Sequence, residues 1–119
     1  MNMNIHKHLI ATLAAVLTLG LAMPSVASEP VTESQVTAAK TPADHEAIAK
    51  AYDAKAATAE ADAKGHEAMA RTYKAGGAPK ANSAAMVSHC ERLVASYRAV
   101  ATEYRALAAE HRKLAADAK

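Results

Sequence analysis

The chain has one cysteine, no tryptophan, no phenylalanine, and only four glycines and four prolines in 119 residues. A single cysteine rules out an internal disulfide. In an oxidising compartment it leaves Cys90 buried, bound to metal, or paired with another chain. Without Trp or Phe no thick aromatic core can form. There is no glycine-rich phosphate loop, no CxxCH haem attachment, no serine or cysteine beside a motif-level base, and no paired Glu-x-x-His of a carboxylate metal centre. Each absence removes a class of catalysis, and the chain is read as a non-enzyme. An excess of one charge is missing too, with fourteen basic against twelve acidic residues. Phosphate binding needs a basic face, so nucleic acid is not expected as a partner.

Long hydrophobic runs are lacking but for one. The polar start MNMNIHKH is followed by the apolar LIATLAAVLTLGLAM and the small-residue segment PSVAS, the three-part layout of a secretory signal at 1–27, cleaved after Ala27. The apolar run falls short of the ~20 residues of a membrane span, and no second run follows. The cleavage point has no cysteine for a lipid anchor. The mature chain, Ser28 to Lys119, is therefore expected to be soluble, without a membrane span, and periplasmic where the host has an outer membrane. It lacks the Trp, Phe and dense Lys or Arg of a membrane-surface helix.

Alanine and a seven-residue period fill what remains. Residues 28–41 mix Glu, Pro, Val, Thr and Ser without period and are read as a flexible tether. Thr41-Pro42-Ala43-Asp44 supplies a hydroxyl cap, a proline at the first helical position and an early acid, predicting a helix over 42–75. Gly76-Gly77-Ala78-Pro79 ends it within a turn over 76–83, and Asn82 or Ser83 caps a second helix over 84–118. A short connection between long helices makes them antiparallel neighbours. The fold class is all-α, a long coiled-coil-like two-helix hairpin.

With His45 as heptad position a, this row holds His45, Tyr52, Ala59, His66 and Tyr73, then Cys90, Tyr97, Tyr104 and His111. Position d holds Ile48, Lys55, Asp62 and Met69, then Met86, Leu93, Val100, Leu107 and Leu114. An antiparallel pair packing a against d joins residues whose numbers sum to 159, such as Tyr73 with Met86, His66 with Leu93, Tyr52 with Leu107, His45 with Leu114, Met69 with Cys90 and Ile48 with His111. In that register Arg105 reaches Asp53, Arg112 reaches Glu46, Lys55 and Asp62 lie near Tyr104 and Tyr97, and Glu91 conflicts with Glu67. Small residues cover more surface than one hairpin can bury, so a homodimer forming a four-helix bundle is expected.

Chemically versatile side chains gather at two levels. Near the turn, His66, Met69, His89 and Cys90, with Met86 in reserve, combine imidazole, thioether and thiol, ligands suited to Cu(I) or Zn(II). At the open end His45 and His111 make a second, weaker pair. The alternative for the turn is ordinary seam packing, since methionine fills core gaps and free cysteine is usually buried.

The phrase H-E-A-x-A-x-x-Y at His45 to Tyr52, repeated at His66 to Tyr73, together with HCERLVASY at His89 to Tyr97, resembles small exported bacterial alanine-rich helical-hairpin proteins. The resemblance implies the fold and export, and transfers no activity. The closely spaced cysteines of copper-storage bundles are not present. These features together predict an exported, non-catalytic binding or scaffold protein of the cell envelope with a soft-metal site near the turn. The alternative is a purely structural or protein-binding hairpin without metal.

Overall fold

The structure, a computed structural model, describes residues 29–77 and 82–118. The signal segment read at 1–27 and the tip of the turn at 78–81 lie outside the described residues. Three helices follow one another: α1 (Glu33–Ala38), α2 (Pro42–Lys74) and α3 (Ser83–Asp117). Among the described residues there is no strand, and α2 and α3 pack antiparallel along their lengths.

Helix α1 falls inside the stretch expected to be a tether. The cause is a capping box. The Thr32 hydroxyl accepts from the Gln35 N–H at 3.2 Å, and the Gln35 side-chain oxygen accepts from the Thr32 N–H at 2.8 Å. Six residues is all that this cap supports before Ala39 turns extended.

The start of α2 repeats the device. Thr41 Oγ1 accepts from the Asp44 N–H at 3.1 Å, while the Asp44 carboxylate accepts from the N–H groups of Lys40 at 3.1 Å and Thr41 at 2.9 Å. Those backbone donors, Lys40 first, hold the Asp44 carboxyl below its usual range. At the other end Gly76 takes φ +75°, the Gly77 N–H donates to the Thr72 carbonyl at 3.0 Å, and the Gly76 N–H donates to Tyr73 at 3.3 Å. This is a Schellman closure. A Cβ on Gly77 would come within 3.0 Å of Thr72 Cγ2, so the second glycine is there for space. Asn82 precedes α3 at φ 65°, in the left-handed region that asparagine tolerates. Its side chain makes no cap bond, contrary to the capping expected of Asn82 or Ser83, and Ser83 is already helical.

The helices meet along a different face from the one expected. Ala49, Ala56, Ala63 and Ala70 of α2 and Val94, Ala101 and Ala108 of α3, all at position e, are buried beside the position-a row. Position d of α3 turns outward instead: Met86, Leu93, Val100, Leu107 and Leu114 are 39–48% exposed, and Met69 of α2 is 42% exposed. At 100° per residue, exchanging d for e as the partner of a rotates each helix by about 50°.

Two physical reasons account for this. Burying position d of α2 would carry Lys55 and Asp62 into the seam, at the cost of desolvating two charges. Alanine at e also lets the helices approach, so that rings at a on one helix overlap rings on the other. Ile48, the buried member of its row, shares a pocket with Val31, Ala38 and Ala39 of the segment around α1.

The axial level differs less than the rotation. Ring contacts join residues summing to 156, such as His45 with His111 and Tyr52 with Tyr104, or to 163, such as Tyr52 with His111 and His66 with Tyr97. These bracket 159, and Tyr52 and His111 each contact two rings of the opposite helix.

Ion pairs line the position-b flank: Lys74 with Glu91 at 2.7 Å, Glu67 with Arg98, Glu60 with Arg105 at 2.6 Å, and Arg112 between Asp53 and Glu46, the latter at 3.8 Å. Arg105 thus takes Glu60 rather than Asp53. Glu91 and Glu67 each have a basic partner, which removes the expected conflict. All are at least partly exposed, so each contributes up to about 1 kcal/mol and selects register more than it stabilises. The seam itself is thin. Its apolar cluster is Ala56, Ala59 and Ala101 under the half-buried Tyr97 and Tyr104, and no large side chain among the described residues is fully enclosed.

Candidate functional site

The seam holds a ladder of rings. A seven-residue repeat keeps each ring on one face, and the antiparallel helix offers its own rings at interleaved heights. At the open end His45 Nδ1 lies 3.2 Å from His111 Nδ1, with ring centroids 5.5 Å apart. Tyr52 packs on His111 at 5.8 Å and stacks on Tyr104 at 5.9 Å, and the Lys55 ammonium sits 5.9 Å above the Tyr104 ring. Lys55 lies near Tyr104 as expected and meets the face of its ring, a cation–π contact. Nearer the turn, His66 stacks on Tyr97 at 5.6 Å and 12°. His111 is 8% exposed, and burial first, then the nearby charge of His45, pushes its imidazole below the usual value.

The five side chains of the turn set are placed unequally. Cys90 is buried in the seam. His66 is half-buried, and its Nδ1 is sealed from solvent without a hydrogen-bond partner. Met69 and Met86 lie on the outer flank. His89 is exposed, with its Nδ1 2.8 Å from the Arg92 guanidinium, which also donates to Ser88 Oγ at 2.8 Å. A metal at His89 Nδ1 would have to displace that cation. Among the described residues no group of three or more His, Cys, Asp or Glu side chains is arranged to hold a metal ion.

The second feature is the outer flank. Met86, Leu93, Val100, Leu107 and Leu114 recur every seven residues, and the first and last are 28 residues apart, about 42 Å of helix. Gly65 faces outward in α2 with nothing within 4 Å of the position its Cβ would take. Glycine inside a helix costs about 1 kcal/mol relative to alanine, and nothing within the hairpin requires it there. Reading d as core overlooked this surface. The available signal was the seven-residue repeat of alanine at e, beside charged residues at d of the first helix.

No helix among the described residues is long and apolar enough to cross a membrane. The chain matches no family model, and neither curated proteins nor solved structures show a significant match to it.

Proposed function

We propose that the chain is an exported, non-catalytic scaffold or binding protein of the cell envelope that works as a homodimer, two hairpins closing into a four-helix bundle. The observation that carries this reading is the exposed apolar row from Met86 to Leu114. Such a row against water is a binding surface by its chemistry. A second copy suits it, because a seven-residue repeat is self-complementary about a two-fold axis. With the axis at Val100, Leu93 meets Leu107 of the second copy and Met86 meets its Leu114. Arg92 then approaches Glu110 of the second copy, opposite in charge. Closing the remaining exposure yields roughly 1 kcal/mol per side chain. A core of alanines leaves the lone hairpin dependent on that gain.

Sedimentation of the mature protein tests this. The expected result is a dimer that Leu107→Ser converts to a monomer with a lower midpoint of thermal unfolding. A wild-type monomer at about 100 µM, well above a micromolar dissociation constant, refutes self-association and leaves the partner-binding hairpin. The export reading expects an N-terminus at Ser28 after cell fractionation.

A soft-metal site near the turn is the second reading, favoured by one observation, the sealed and unpartnered Nδ1 of His66. A buried polar atom without a partner is costly, and a ligand would satisfy it. On this reading Cys90 and His66 hold Cu(I) or Zn(II), and Cys90→Ala and His66→Ala each weaken uptake.

A further inference from the structure

We propose that His45 and His111 form a two-imidazole site for a zinc-class divalent ion, a clamp that ties the two free ends of the hairpin together. The residues come from opposite helices, 66 positions apart in sequence, and their Nδ1 atoms are 3.2 Å apart. Zinc–imidazole bonds of about 2.0–2.1 Å drawn to two such nitrogens enclose an angle of about 100–106°, close to the tetrahedral value. A linear two-coordinate Cu(I) ion needs its nitrogens about 4 Å apart, so the spacing selects the tetrahedral metal.

The surroundings favour the same role. Tyr52 packs its ring on His111 at 5.8 Å and limits how that imidazole can turn. Burial favours the neutral form of His111, the one that carries a lone pair for metal. Without an ion, the contact needs one ring to donate and the other to accept. With an ion, both nitrogens become ligands at a separation they already have.

The neighbouring carboxylates are committed elsewhere: Asp44 to the N–H groups of Lys40 and Thr41, Glu46 to Arg112, and Glu110 to Lys113. Water fills the other two positions of the tetrahedron, so the site is a labile clamp rather than a closed structural centre. It lies within one hairpin and is independent of dimer formation.

The test is calorimetric titration of chelator-treated mature protein with zinc chloride, alongside thermal unfolding with and without zinc. One zinc per chain is expected. At free zinc a hundredfold above its dissociation constant, the folding equilibrium constant rises about 100-fold. His45→Gln and His111→Gln should each weaken binding at least tenfold, while Cys90→Ala and His66→Ala leave it intact. His45 is half-buried, so its variant keeps the test valid if His111→Gln unfolds the end of the hairpin. Absence of saturable uptake overturns the proposal. So does uptake that survives His45→Gln and disappears in Cys90→Ala, which places the ion at the turn instead.

Discussion

At the scale of single residues, the environment of His111 sets how the open end responds to acid. Its imidazole faces His45 and Tyr52 of α2, and burial holds it below the ordinary value of 6.5. In chelator-treated protein the unfolded chain therefore takes up this proton at a higher pH than the folded chain does. The stability His111 contributes is complete above about 6.5 and is lost as pH falls toward the lower folded value. Thermal unfolding between pH 7.5 and 5 should show that loss, and His111→Gln should flatten the slope. An unchanged slope in the variant would assign the acid sensitivity to another group.

Other single residues act through caps. Thr32 with Gln35 and Thr41 with Asp44 use one reciprocal pattern, and each was legible as a hydroxyl three residues ahead of a polar or acidic side chain. The first was overlooked because α1 has no buried residue of its own, so no hydrophobic period marks it.

At the scale of elements, the long helices and their antiparallel pairing were legible because proline, the two glycines and an unbroken alanine-rich period leave few alternatives. The rotation about the helix axes was not. Leucine and valine at d read as core by hydrophobicity, while alanine at e reads as filler. What decides is the cost of burying Lys55 and Asp62 against the close approach that Ala56 and Ala101 allow. The same misreading paired Met69 with Cys90 and Met86 with Tyr73 across the seam, although both methionines lie on the outer flank. Enlarging a seam alanine tests the argument: Ala101→Leu should destabilise the hairpin by about 1–3 kcal/mol, measured by urea unfolding, because the helices must separate. Had d formed the seam, the substitution would fall on its margin and cost little.

At the scale of the whole molecule, the hairpin has an ion-paired flank, an inner seam of alanines and rings, and an apolar flank facing water. The first two are complete within one chain. The third leaves Met86, Leu93, Val100, Leu107 and Leu114 exposed, and a second copy is proposed to cover them.

The central claim is that a second copy covers this flank about an axis at Val100. Val100→Cys in a Cys90→Ala background places one thiol at that axis, and mild oxidation should convert the protein to a disulfide-linked dimer while Lys50→Cys, on the outer face of α2, stays uncrosslinked in the same background. A Val100→Cys protein that remains reduced and monomeric under those conditions would contradict the account.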